Sequence, residues 1–138
     1  MIEAVIFDYG GVIFRNLMWH NDMFDLARDI RAKGLRTAIL SNMIPPVAWV
    51  IRRHPETKNF DPVVISCEVK HSKPKPEIYE IILGQLNLPA ERCLFIDDRL
   101  ANLETAKAMG MQTVHVTNPA VAIAKVRELL GMQNQASN

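Results

Sequence analysis

The sequence predicts an α/β fold, a doubly wound, three-layer parallel sheet with helices on both faces. Three observations carry this. Short apolar runs recur along the chain, each ending at a polar residue. Segments with helical periodicity separate them. Apolar residues make up 49% of the 138 and charged residues 22%, which is a composition able to bury one core. The expected organisation is a single domain over residues 1–132, with a polar tail at 133–138 that frays.

The first run, Ala4-Val5-Ile6-Phe7, ends at Asp8. Continuous apolar runs of this length suit strands covered on both faces. Met23, Leu26, Ala27 and Ile30 then fall at helical spacing, with Asn21 or Asp22 as N-cap and Gly34 just past the end. Thr37 to Leu40 reads as the second strand and ends at Ser41, and a shorter helix follows over Val47 to Arg53. Val63 to Ile65 makes the third strand. Pro76 opens a helix whose stripe is Ile78, Ile81, Ile82 and Leu86. Cys93 to Ile96 is the fourth strand and ends at Asp97. Leu103, Ala106 and Met109 lead to Gly110. Thr113 to Val116 is the fifth strand, and Ile123, Val126, Leu129 and Leu130 lead to Gly131.

Composition excludes several classes. Sixteen basic against fifteen acidic side chains leave a net charge of +1, with no general attraction to nucleic acid or anionic membrane. Two cysteines, Cys67 and Cys93, cannot staple a mini-domain and fit a reducing cytoplasm. No apolar run approaches the roughly 18 residues of a membrane span. The apolar N-terminus carries Glu3 and Asp8 without a basic leader, so no signal peptide is expected.

Doubly wound sheets bind ligands beyond the carboxyl ends of their strands. That edge collects Asp8, Ser41, Asn42, Asp97 and Asp98. Polar residues at strand ends also serve as turn formers and helix caps, and Ser41-Asn42 fits either use. Asp8-Tyr9-Gly10-Gly11 sets a carboxylate before two glycines whose backbone can approach an anion, or it is a tight turn. No Walker loop or dinucleotide fingerprint is present. Flanking proline restricts the backbone around Lys73, whose ammonium could neutralise a transferring phosphoryl group. Asp97 and Asp98 directly after a buried strand are costly without a partner. Mg²⁺ is the natural one, a hard cation that uses one or two carboxylates plus substrate phosphate.

The ordered set Phe7-Asp8-Tyr9-Gly10-Gly11-Val12, Leu40-Ser41-Asn42, Lys73-Pro74-Lys75-Pro76 and Phe95-Ile96-Asp97-Asp98 with Asn102 resembles the haloacid dehalogenase (HAD) superfamily. The branch is similar to the N-terminal phosphatase domain of soluble epoxide hydrolase. The resemblance implies a Rossmann-like sheet in strand order 5-4-1-2-3. It implies a phosphatase acting on phosphomonoesters, with Asp8 as nucleophile forming an aspartyl-phosphate and Lys73 steadying Asp8 and the developing charge. Mg²⁺ would be held by Asp8, the Gly10 carbonyl and Asp98. Ser41, Asn42 and Gly11 would bind the phosphoryl group, and Asp97 and Asn102 would anchor the site from behind.

Two departures from the family pattern shape the expectations. Many family phosphatases carry a second Asp, the general acid and base, at the position of Gly10. Slow turnover follows, or a degenerate phosphate- or metal-binding module with little turnover. Only Val12 to Leu40 separates the first two motifs, so no cap domain is expected. The site would be open to a small or macromolecular phosphorylated substrate, or covered by a second copy of the chain. Phe14, Leu17, Met18 and Trp19 would form a contact surface there or fold onto the core. A receiver-type signalling domain also phosphorylates an Asp, but its acid pair follows the first strand. The expected location is cytoplasmic, with no nucleic-acid or membrane partner.

Overall fold

Ala4–Phe7 (β1) has no side chain that water would hold, and all four residues are buried. They occupy the centre of a five-stranded parallel sheet. The structure, a computed structural model, describes residues 1–133. Most of the expected frayed tail, residues 134–138, lies outside the described residues.

Beyond β1 the chain turns through residues 8–13 into a small antiparallel hairpin, Phe14–Arg15 (β2) with Met18–Trp19 (β3). Asn16 and Leu17 take positive φ at its tip. The helix Asn21–Ala32 (α1) follows, buried along Met23, Phe24, Leu26, Ala27 and Ile30. Its N-cap is His20, not Asn21 or Asp22. Asp22 lies inside the first turn, where its carboxylate accepts from Met23 N–H at 2.7 Å and from Arg15 at 2.8 Å. Arg36–Ser41 (β4) leads to Pro45–Arg53 (α2), which starts two residues ahead of the expected Val47 because proline is favourable at a helix start. Val63–Ile65 (β5) runs into a single turn, Ser66–Val69 (α3), which no periodicity announces. Pro76–Leu86 (α4), Cys93–Asp97 (β6), Leu100–Ala108 (α5), Gln112–His115 (β7) and Pro119–Leu129 (α6) complete the described chain.

The sheet order is β5-β4-β1-β6-β7. The expected 5-4-1-2-3 differs from this numbering, because β2 and β3 pair only with each other and displace the later strand numbers by two. Within the sheet, β1 lies between β4 and β6.

Two apolar clusters cover the two faces. Val5, Phe7, Ile39, Leu94, Ile96 and Val114 pack with α1, α2 and α6. Ala4, Ile6, Ala38, Leu40, Val64 and Phe95 pack with α4 and α5. Alternate residues of one strand serve opposite faces, which is why the runs are apolar throughout. Arg127 of α6 joins α1 through Asp29 at 2.7 Å.

The hairpin divides the residues left open above. Phe14 packs partly against the core, and Trp19 donates its indole N–H to the Tyr9 hydroxyl. Leu17 and Met18 stand 89% and 64% exposed. No described helix is long and apolar enough to cross a membrane.

Candidate active site

The register of β1 with β6 pairs Phe7 with Ile96, so the next residues, Asp8 just past β1 and Asp97 at the end of β6, stand side by side. Lys73 reaches them from the loop between α3 and α4. Its Nζ donates to Asp8 Oδ1 at 2.8 Å, to Asp97 Oδ2 at 2.9 Å and to the Leu40 carbonyl at 3.0 Å. Three acceptors take up all three protons of the ammonium. Lys73 is only 5% exposed, so this is a buried charge with a complete set of partners.

The two carboxylates beside it behave differently. Burial acts to raise Asp97, but Lys73, the Arg99 N–H at 2.9 Å and the Asn102 amide at 3.1 Å outweigh it and hold Asp97 below the usual carboxylate range. Among the described residues, the Asp8 carboxylate accepts from Lys73 alone. Burial pushes it up to about 8, with Asp97 and Asp98 adding to the rise and Lys73 opposing it. Donor count separates two acids that share one ammonium.

Asp8, Asp97 and Asp98 present carboxylate oxygens within 4.8 Å of one another. Both Asp97 oxygens are already engaged. Among the described residues, no donor is found for Asp8 Oδ2, for the Asp98 carboxylate or for the Gly10 carbonyl. Gly11 lies at φ +87°, and a Cβ there would overlap the Asp98 carboxylate. Close approach of Asp98 therefore needs glycine at that position. Hard oxygen donors with uncompensated negative charge fit Mg²⁺.

Asp8, Gly10, Gly11 and Asp98 line a cavity of about 430 Å³ with Asn42, Met43, Lys73, Pro74, Arg99, Ala101 and Asn102, and Asp97 lies behind it. Of the residues expected to hold phosphate, Gly11 and Asn42 reach this cavity and Ser41 is not among its lining. The Gly11 N–H donates to the Phe14 carbonyl at 2.8 Å. Both side-chain atoms of Asn42 bond the Lys73 backbone, Nδ2 to its carbonyl and Oδ1 from its N–H, each at 2.9 Å. Ser41 Oγ is buried without a partner among the described residues.

Several contributors were invisible in the sequence. The Tyr79 hydroxyl donates to the Asn102 carbonyl at 2.8 Å, and the Thr105 hydroxyl to the Pro74 carbonyl at 2.6 Å. The first ties α5 to α4, and the second ties α5 to the segment carrying Lys73. His115 Nε2 lies 2.9 Å from the Asp98 carbonyl. Met43 touches Gly10 closely enough that a Cβ there would sit 3.0 Å from its methyl group. Met43 and Arg99 follow the second and fourth motifs directly, which was the one available signal.

A larger cavity, about 700 Å³, opens at the opposite edge of the sheet among Ile2, Leu35, Leu88 and Leu130. Its charged members are engaged elsewhere: Glu3 with Arg92, Lys33 with the Leu130 carbonyl and Arg36 with the Leu86 carbonyl. It offers no converging titratable groups, so the chemistry belongs to the smaller cavity.

Residues 11–110 match the haloacid dehalogenase-like hydrolase family. Acyl-CoA dehydrogenase family member 10 of Mus musculus is 37% identical over 102 residues, which is 74% of this chain and 10% of the relative. Sesquiterpene phosphatase astK of Aspergillus oryzae is 31% identical over 110 residues, 79% of this chain and 56% of the relative. Bifunctional epoxide hydrolase 2 of Mus musculus is 36% identical over 121 residues, 80% of this chain and 21% of the relative. The chain thus spans between a tenth and little over half the length of these relatives. A protein of Corynebacterium glutamicum shares the fold with a TM-score of 0.88 at 24% identity, covering 98% of this chain and 99% of that one. A HAD family enzyme of Bacteroides thetaiotaomicron, solved with magnesium and inorganic phosphate, does so at 0.71 and 18% identity, covering 83% and 94%. The motifs, the sheet and the sequence match agree, and the chain belongs to the haloacid dehalogenase-like hydrolases.

Proposed function

We propose that the chain hydrolyses phosphomonoesters through an aspartyl-phosphate on Asp8, with Mg²⁺ held by Asp8, the Gly10 carbonyl and Asp98. The supporting observation is the division of labour among the acids. Lys73 takes one oxygen of Asp8 and leaves Oδ2 without a donor among the described residues. A phosphatase among the relatives supports the ester class.

Asp8 Oδ2 attacks phosphorus, and the ester P–O bond breaks. Gly10 offers no side chain to protonate the departing oxygen, so the proton comes from water. Water then attacks the phosphorus, the P–O bond to Asp8 breaks, and inorganic phosphate leaves with the carboxylate restored. Lys73 holds the nucleophile in position throughout, and its charge acts at close range because the site is buried. Asp97 balances that ammonium, with Asn102 and the Arg99 N–H keeping it ionised. Among the described residues, the N–H groups of Gly10 and Asn42 are left without acceptors and are the donors available for phosphoryl oxygens, while the unpartnered Ser41 Oγ lies behind the cavity lining. A bound Mg²⁺ would offset the negative charge of the carboxylates and polarise the phosphoryl group.

General acid help is worth ~10²–10⁴-fold, so aryl phosphates, whose leaving groups need no proton, should turn over much faster than alkyl phosphates. The test is hydrolysis of an aryl phosphate with Mg²⁺, with a chelator and with Asp8→Asn. Activity confined to the first condition supports the reaction, and equal rates in all three remove it. Gly10 also favours a second reading, a module that binds phosphate without turnover. Calorimetric binding of inorganic phosphate without hydrolysis of any aryl ester would select it.

A further inference from the structure

We propose that the side chain of Asn42 is a positioning group that fixes Lys73, not a ligand of the phosphoryl group. Among the described residues, its side-chain amide pairs with Lys73 alone. Oδ1 accepts from Lys73 N–H and Nδ2 donates to the Lys73 carbonyl, both at 2.9 Å. One planar amide thereby holds both ends of a single residue, as a neighbouring strand would. The Lys73 backbone needs such a brace. It sits in a loop outside the sheet, and Pro74, which follows, has no N–H to offer.

The consequence runs along the side chain. With the backbone pinned to Asn42 at the end of β4, the Lys73 ammonium meets the carbonyl of Leu40 in the same strand as well as Asp8 and Asp97. β4 therefore grips Lys73 twice, by main chain and by ammonium. Oδ1 and one of the two Nδ2 hydrogens are committed to Lys73, which fixes the plane and orientation of the amide.

The kinetic part of the test rests on the reaction proposed above, and the structural part does not. Asn42→Ala is chosen because Asn42 is exposed, and its loss leaves the core intact. Amide hydrogen exchange at Lys73 is expected to speed at least tenfold, since Asn42 Oδ1 is the acceptor of that N–H. In turnover of an aryl phosphate, kcat is expected to fall about tenfold, equivalent to ~1.4 kcal/mol. KM and inhibition by inorganic phosphate should stay within about twofold of the parent. Unchanged Lys73 exchange overturns the proposal. So does phosphate inhibition that weakens in step with kcat, because that would make Asn42 a ligand. Faster Lys73 exchange in a protein that turns over no ester keeps the brace and discards the reaction.

Discussion

At Gly11 one hydrogen atom decides where Asp98 can stand. The residue has φ +87°, and its missing Cβ is the space the Asp98 carboxylate occupies. Gly11→Ala adds a backbone penalty of ~1–2 kcal/mol and forces the carboxylate aside. Expected is a loss of that size in denaturant unfolding together with a failure of Mg²⁺ to raise the melting temperature. A variant that Mg²⁺ stabilises as it does the parent would show that Asp98 holds no ion. Asp8 supplies a pH prediction. Its carboxyl is pushed up to about 8 by burial, so between its ordinary value and 8 the folded chain binds more protons than the unfolded one. The contribution of this group is fully present in acid and is lost as pH rises through about 8. A cation requires the ionised form, so apparent Mg²⁺ affinity should climb roughly tenfold per pH unit below that point and level off above it. Isothermal titration across this range checks it, and Asp8→Asn should abolish the slope. Asp8, Asp97 and Asp98 were legible because charged residues beside buried apolar runs demand partners, and Lys73 because proline restricts the backbone around it. The use of Asn42 was not, because an amide suits an anion and a peptide bond equally well.

Among the elements, legibility followed length. β1 and β5 matched their expected bounds, because four- and three-residue apolar runs admit little else between polar ends. The hairpin β2–β3 has two residues per strand, too few to show any period, and Asn16 and Leu17 at its tip are not glycines. Trp49 of α2 stands 62% exposed with the Arg53 guanidinium 4.4 Å from its ring centre. Tyr79 is buried in the packed face of α4, and its hydroxyl also ties α4 to α5 through the Asn102 carbonyl. Tyr79→Phe keeps the packing against Phe95 and removes that donor. Expected is a loss of about 1 kcal/mol in urea unfolding. The Asn102 amide should also loosen from Asp97, visible as faster exchange of its side-chain protons. No change in either measurement would leave the α4–α5 tie without energetic weight.

Across the whole molecule, the site exists only because the sheet is wound from its centre outward. Asp8 and Asp97 come from neighbouring strands 89 residues apart in sequence, while Lys73 arrives from a loop beyond β5. Periodicity is local and carries no information about which strands adjoin, so this convergence was readable through the ordered family motifs and not from any single run. Once formed, the three charges stand or fall together. Lys73→Met keeps the length and apolar stem of the side chain but leaves Asp8 and Asp97 facing each other without a cation. Removing one partner of a buried ion pair costs ~3–5 kcal/mol, so the denaturation midpoint at neutral pH should fall by a large fraction of the total stability. The deficit should shrink in acid, where protonation relieves the repulsion. Asp8→Asn introduced alongside Lys73→Met removes one of the two unpaired charges, and Asp97 keeps the Asn102 amide and the Arg99 N–H. That double variant should therefore recover part of the loss at neutral pH and little in acid. Urea unfolding of the parent, both single variants and the double variant at two pH values tests this, and a Lys73→Met midpoint equal to the parent's would mean that the ammonium does not hold the acids together.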